Sequence, residues 1–596
     1  MVFLRSAGSP PTHGKLRRCC VRRMVSPAAF AFAIVLVAVC IGADRASAQI
    51  PPSDDQANII RGTVLNSITH EPIGRALVHS TDDKFAMLTD GEGHFEFTLP
   101  KAESESGDFF TFEGQARPVQ VHGNTFWLVA HKPGFLDDPN EINQIAATPG
   151  NEVTVSLIPE ALIQGRVTLS TNDAATGITV QLFIKRVQEG MPRWMPAAMA
   201  RANSNGEFRF AELQPGAYKL VTHELLDNDP VTTVPGGQLY GFPPAYYPNV
   251  ADFAASGIIQ LAAGQTFQAD LSLVRQPYYQ VSIPVANAES NSGMRITVSP
   301  RGRRGPGYSL GYNGAKQRIE GSLPNGSYLV EAATFGQNSS TGQTSIAVSG
   351  APVEGAAMVL TRNSSIIVNA REEFASTESN PTGSWSDGKR TFSLHGPRLY
   401  LSIRAEPTDD FAEQRGGGSL RPPAGPDDDS MVLENLAPGR YWLRMRTGYG
   451  YVAAATMGGL DLLHQPVVIG PGSSVPIDIT IRDDSAEIEG TIAGVTLVTP
   501  AAEGEATPQT PSAHIYCVPL ADSPGQFFEA QASPDGKFDY QRAAPGAYRL
   551  LAFKNRQPNL PYRDPESMQI YEAKGQTVHL SPGQKASVQL QISSSE

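Results

Sequence analysis

The sequence predicts an all-β chain of about five tandem sandwich modules, and three features of its 596 residues carry that expectation. A short signature ending in tyrosine recurs as Leu213-Gln214-Pro215-Gly216-Ala217-Tyr218, Leu323-Pro324-Asn325-Gly326-Ser327-Tyr328, Leu436-Ala437-Pro438-Gly439-Arg440-Tyr441 and Ala543-Ala544-Pro545-Gly546-Ala547-Tyr548. The tyrosines lie 110, 113 and 107 residues apart, the length of one small β-sandwich rather than of one solenoid turn. Strict apolar–polar alternation, as in Val153-Thr154-Val155-Ser156-Leu157 and Val588-Gln589-Leu590-Gln591-Ile592, is the pattern of strands with one face on a core. Few segments show helical spacing.

Residues 1–48 read as an export signal. Arg17, Arg18, Arg22 and Arg23 form the basic start, an apolar run follows from Ala28 to Ala43, and Ala46-Ser47-Ala48 supplies the small residues of a cleavage site before Gln49. The run is too short for a helix that spans a bilayer, so no transmembrane segment is expected after cleavage. A twin-arginine reading of Arg22-Arg23 is weakened because Met24-Val25-Ser26 lacks the aromatic. Lipidation at Cys40 is disfavoured by Val39 but stays open, as does the choice between Met1 and Met24 as the start.

Of the 47 basic and 59 acidic side chains, seven and one fall within residues 1–48, leaving the remainder with a net charge of about −18. With no long basic block, nucleic acid is excluded as a partner. Cys19, Cys20 and Cys40 lie in the leader, so Cys517 alone remains and no intrachain disulfide can form. Each module must be held by its apolar core, and about 110 residues suffice to bury one.

Modules are expected at 57–159, 160–276, 277–362, 363–483 and 484–596. A glycine between apolar residues opens three of them, in Ile60-Arg61-Gly62-Thr63-Val64, Ile163-Gln164-Gly165-Arg166-Val167 and Ile488-Glu489-Gly490-Thr491-Ile492. Pro-Gly in the signature suits the centre of a type II turn. Beyond it, Tyr218 and Leu220, with their counterparts in the other copies, share one face of a strand, the phenol packing inward with its hydroxyl on a backbone partner. About ten residues earlier Phe208 with Phe210, and Phe538 with Tyr540, form the expected partner strand after Asn205-Gly206 and Asp535-Gly536 turns. Module four has Met431 and Leu433 there, and module three slips by one to Ile319 and Gly321. Residues 101–117, 371–390, 412–429 and 500–512 read as long loops. The short joints between modules predict a stiff rod or arc.

Module one, with Gly62-Thr63-Val64, Pro72-Ile73-Gly74-Arg75-Ala76-Leu77-Val78 and Thr89-Asp90-Gly91-Glu92-Gly93-His94-Phe95-Glu96-Phe97, resembles the carboxypeptidase regulatory-like domain family. That resemblance implies a transthyretin-like, carbohydrate-binding-like sandwich. Modules two and five are similar through their Asn-Gly or Asp-Gly turn, aromatic strand and Pro-Gly-x-Tyr, module four in part and module three least. Tyr246-Tyr247-Pro248 followed by Ala263-Gly264-Gln265 is similar to exported bacterial proteins with several such domains. Module one departs from the pattern, lacking the Pro-Gly-x-Tyr turn and carrying an insertion after Pro100 and a later strand at Phe126-Trp127-Leu128-Val129.

No catalytic centre is legible. None of the eleven histidines has Glu three residues later, as a zinc carboxypeptidase would need, and no His-Glu-x-x-His occurs. Cys517 reads as a small buried hydrophobe. Acidic pairs such as Asp54-Asp55, Asp82-Asp83, Asp409-Asp410 and Asp483-Asp484, and the triplet Asp427-Asp428-Asp429, lack calcium-loop spacing and read as solvated turns. The chain is therefore expected to be no enzyme and to need no cofactor or metal. Two aromatic groups are candidate ligand surfaces. Tyr240, Phe242, Tyr246 and Tyr247 sit in a proline-stiffened loop that either stacks on sugar rings or folds back to cap module two. Trp442 alternates to the face opposite Tyr441, with Tyr449 and Tyr451 nearby. The expected function is an exported, non-catalytic binding or spacer protein of the bacterial envelope, in the periplasm, at the outer surface or in the medium, with carbohydrate or an envelope protein as partner. The alternatives are an accessory subunit of an envelope peptidase and a structural or adhesive surface protein.

Overall fold

The computed structural model describes residues 59–593, with 82–83, 99–110, 113–114, 117–125, 138–143, 148, 151, 228–236, 251, 289–292, 302–304, 337–338, 376–381, 387, 410–416, 427, 494–512, 521–522, 534 and 558 left aside. The expected leader, the loop at 500–512 and the pairs Asp54-Asp55 and Asp82-Asp83 lie outside the described residues. The protein is all-β, a tandem series of sandwiches built around five separate apolar cores.

One pairing rule repeats through all five. The opening strand pairs antiparallel with a strand near the middle of its module and parallel with a strand close to the module's end, which joins the first and last segments of the unit. In module one Ile59–Asn66 takes His94–Thr98 and Glu152–Leu157; in module two Ala161–Leu169 takes Glu207–Leu213, then Thr266–Gln268 and Leu271–Leu273. Gln276–Ala286 takes Arg318–Pro324 and Met358–Val359. Ser364–Glu373 takes Met431–Leu436 and Ile477–Arg482. Ala486–Ala493 takes Lys537–Ala543 and Lys585–Gln591.

This pairing explains the opening glycines. Gly62, Gly165 and Gly490 stand opposite Phe95, Phe208 and Phe538, whose rings fold over the bare backbone. A Cβ at Gly165 would lie 1.9 Å from the Ala269 carbonyl oxygen, and one at Gly490 2.6 Å from the Phe538 ring. A glycine inside a strand is tolerated here because another group approaches the backbone closely.

The four signature tyrosines are buried, and each hydroxyl donates to the carbonyl four residues back: Tyr218 to Gln214 at 2.6 Å, Tyr328 to Pro324 at 3.0 Å, Tyr441 to Ala437 at 2.8 Å and Tyr548 to Ala544 at 2.6 Å. The turn around them differs from expectation. Gly216, Gly326 and Gly439 begin their strands without a positive φ, so no type II turn forms there. In modules two and four the left-handed residue lies upstream instead, at Glu212 (φ 56°) and Asn435 (φ 62°), beside register shifts in the opening-strand ladder. These bulges bend the strand out of its sheet, leaving the glycine extended. Only Gly546 (φ 153°) stays outside the range of other residues, and a Cβ there would lie 2.5 Å from Ser523 Oγ.

The aromatic strand is likewise not the partner of the tyrosine strand. Gly216–Thr222 pairs with Thr179–Gln188 and Ile259–Leu261, whereas Glu207–Leu213 pairs with the opening strand, so the Pro-Gly segment is a corner between two sheets. Module four closes differently, as one nine-stranded sheet in which Ser419–Leu420 pairs with both Leu401–Pro407 and Met431–Leu436. The expected loops at 371–390 and 412–429 thus carry strands: Ser364–Glu373 runs into the first, and Thr382–Ser386 pairs with Thr391–His395, where the Trp385 and Phe392 rings stack. Most of 101–117 lies outside the described residues, apart from the paired strands Thr111–Phe112 and Gln115–Ala116.

Of the expected rod or arc, the rod is corrected, because module two reaches modules four and five. Thr179–Gln188 and Met191–Arg201 form a hairpin closed by Glu189 (φ 50°) and Gly190 (φ 77°), the two positive values a type I′ turn requires. At its tip Glu189 pairs with Arg444, the Gly190 carbonyl accepts from Arg563 N–H at 3.0 Å, Val187 N–H donates to Asn559 at 3.3 Å, and Arg193 donates to the Pro407 carbonyl. Linker length fixes the reach of a joint but not its bend, and here the side-chain contacts set the bend.

Candidate functional site

The proline-stiffened loop of module two is spent on packing. Thr222 N–H donates to the Ala245 carbonyl and Tyr247 N–H to the Leu220 carbonyl, both at 3.0 Å, so Tyr246 forms an isolated antiparallel bridge with Val221 of the tyrosine strand. Alternation then sends neighbouring rings to opposite faces. Tyr246, 1% exposed, enters a second cluster with Phe183, Trp194, Val221 and Phe253, and its hydroxyl donates to the Pro306 carbonyl. Tyr247 turns to the main core and meets Phe267 edge-on, and Phe242 is buried in that same core. Tyr240 is half-buried beneath the Arg275 guanidinium, 4.1 Å from the ring centroid, which Asp227 holds in place. A stacking platform needs a free ring face, and Phe242 and Tyr246 have none.

Trp442 belongs to a larger feature. It lies under the Arg563 guanidinium, 4.7 Å from the ring centroid, in a cleft of about 1730 Å³ where modules two, four and five meet. Tyr451 is buried with its hydroxyl on Asp484, while Tyr449 stays exposed and packs against Phe374. Further aromatic pairs shape the wall: Tyr562 stacks on Phe527 at 3.7 Å and Phe528 on Tyr540 at 3.9 Å. Modules four and five are tied across it by Gln526 donating to the Val452 carbonyl, Arg542 to the Gly448 carbonyl, and His464 to the Ser523 carbonyl.

The cleft is rich in guanidinium groups. Arg444 has Glu189, and Arg556 has Glu529 at 3.6 Å. Asp461 serves His464 at 2.6 Å; its burial raises the carboxyl, but the His464 contact and the Leu463 N–H outweigh that and hold it below the ordinary range. Among the described residues no carboxylate pairs with Arg446, Arg542, Arg549 or Arg563, and Arg549 Nε and Arg563 Nη1 are shielded without an acceptor. These arginines come from three separate strands and a loop, a convergence that linear spacing does not display.

Elsewhere, Cys517 is buried and free, with its thiol pushed well up by burial. His79 and His131, 52 residues apart, face one another across neighbouring strands with Nε2 atoms 3.0 Å apart. No group of three or more His, Cys, Asp or Glu able to hold a metal occurs among the described residues, and no helix among them is long and apolar enough to cross a membrane.

No family model matches the chain, and no curated protein matches it. Solved structures similar to parts of it include GBS52, the minor pilin of Streptococcus agalactiae, at 12% identity over 36% of this chain and 96% of that one, with a TM-score of 0.18. The streptococcal ancillary pilin is 10% identical over 51% of this chain and 98% of its own, with a TM-score of 0.17. BcpA, the major pilin subunit of Bacillus cereus, is 9% identical over 54% and 99%, with a TM-score of 0.14.

Proposed function

We propose that this chain is an exported, non-catalytic structural protein of the bacterial envelope surface, in which braced sandwich modules hold a fixed shape for attachment to other envelope components. Export is supported by the basic, apolar and small-residue segments of residues 1–48. The observation that carries the structural reading is the hairpin at Glu189-Gly190, which fixes module two to modules four and five. Carbohydrate stacking on the module-two loop is the weaker reading, because Phe242 and Tyr246 are buried and Tyr240 is covered.

Cell fractionation with surface proteolysis tests the location, and small-angle scattering of the purified chain tests the brace. A Cβ at Gly190 would lie 2.8 Å from the Tyr562 ring, so Gly190→Trp is expected to separate the modules and enlarge the radius of gyration while each sandwich stays folded. Cells carrying that variant should lose attachment. Recovery of the chain in the cytoplasm, or normal attachment by an opened variant, rejects the reading.

A further inference from the structure

We infer that the cleft between modules two, four and five binds an extended acidic peptide segment of another envelope protein, its carboxylates seated on Arg446, Arg542, Arg549 and Arg563. This inference rests on the surface-protein reading above for the kind of partner and on the cleft alone for the chemistry. Four arginines without carboxylate partners converge there although the whole chain carries a net charge of −12. Other arginines of the chain do reach carboxylates, as Arg61 reaches Glu96 and Arg275 reaches Asp227. A planar guanidinium presents a fork of donors that fits a carboxylate in two-point contact.

The form of the ligand follows from what else lines the cleft. Phe528–Ala532 is the terminal strand of its four-stranded sheet, paired on one side only with Ala513–Pro519, and Phe528, Glu529 and Gln531 belong to the lining. A terminal strand offers backbone N–H and C=O groups to an added strand, and alternating side chains of that strand can then reach the arginines. Sugar stacking is less favoured, because Phe527 lies against Tyr562, Phe528 against Tyr540, and Trp442 beneath Arg563.

The test is fluorescence anisotropy on the whole secreted chain with a labelled ten-residue peptide alternating glutamate and threonine. A peptide with glutamine for glutamate and an oligogalacturonate of equal charge serve as comparisons. The glutamate peptide is expected to bind at least tenfold more tightly than the glutamine peptide and the uronate, with affinity falling as salt is raised. Arg446→Ala with Arg542→Ala, at two exposed side chains, should weaken it at least tenfold, and Arg446→Glu alone should do the same if the double variant misfolds. Arg209→Ala, on an exposed strand position of module two, should leave it unchanged. Equal binding of the glutamine peptide, no binding of the glutamate peptide, or indifference to the Arg446 variants overturns the site. Tighter binding of the uronate overturns the peptide and makes the ligand a saccharide. Failure of binding in a chain still found at the cell surface rejects this inference and leaves the structural reading standing.

Discussion

Modules two and three share an opening strand, a corner and a buried tyrosine, yet they treat the outer face of the tyrosine strand in opposite ways. In module two that face carries Lys219 and Val221, both buried beneath the second cluster of Phe183, Trp194, Tyr246 and Phe253. The same positions in module three are Leu329 and Glu331, both only partly buried. The module with the lysine covers its sheet, and the module with the leucine leaves it more open. Lys219 tolerates burial because its ammonium donates to the Phe253 carbonyl at 2.7 Å and lies over the Phe253 and Trp194 rings. Module five follows module two, with Tyr516, Leu551, Phe553, Leu560 and Met568 forming its outer layer.

The largest effect should come from removing the cover. Tyr246→Ala empties a fully buried position and is expected to cost about 3–5 kcal/mol, the range for deleting a large core ring. Hydrogen exchange at the amides of 216–222 would rise with it, and urea unfolding would report the loss. Leu329→Ala should cost less than about 1 kcal/mol, since its side chain is only partly removed from water. Equal losses at the two sites would mean that the outer layer adds nothing and that modules two and three are alike.

That contrast also marks what could be read from the residues. Period-two alternation located the strands and the shared face of Tyr218 and Leu220, because the inner core imposes it on every copy. It misjudged the outer face, where burial is decided by segments distant in sequence: Phe253 and Trp194 cover Lys219, and the hairpin at Glu189-Gly190 reaches Arg444 and Arg563. The opening glycines were legible as marks but not as causes until Phe95, Phe208 and Phe538 were seen over them. Of the candidate site, Trp442 was legible by alternation from Tyr441. Of the four arginines around it, Arg542, Arg549 and Arg563 are gathered by the fold of module five and Arg446 is brought to them from module four, and no local pattern records either step.

A second experiment asks whether the corner itself distinguishes the modules. Tyr218→Phe and Tyr328→Phe each remove one hydroxyl and leave a carbonyl, of Gln214 or Pro324, without that donor. Each should cost about 1–2 kcal/mol, the usual range for leaving a buried partner unpaired. Both hydroxyls donate to the carbonyl four residues back, at 2.6 Å in module two and 3.0 Å in module three, but Tyr308 packs edge-on against Tyr328 alone, so the loss at Tyr328 should be the larger of the two. A loss at Tyr218 well below about 1 kcal/mol would show that the module-two cover compensates for the corner.

The smallest effect is the most direct test of the cover, since it needs only a proton. Burial holds the Lys219 amine below its ordinary value of 10.5, with Asp252 partly offsetting the shift and Lys185 adding to it. In the unfolded chain the amine regains its ordinary affinity, so between the lowered folded value and 10.5 the unfolded state binds more protons than the folded one. Stability contributed by this group therefore rises with pH across that window, is complete above 10.5 and is lost as pH falls through the folded value. Lys219→Met keeps the apolar stem and removes the titration. The stability difference between wild type and this variant, measured by urea unfolding at pH 8, 9 and 10, should move in favour of the wild type as pH rises, while the tyrosines common to both cancel. A difference flat across that range would mean that the amine meets water in the folded chain, and the outer layer of module two would then be no more closed than that of module three.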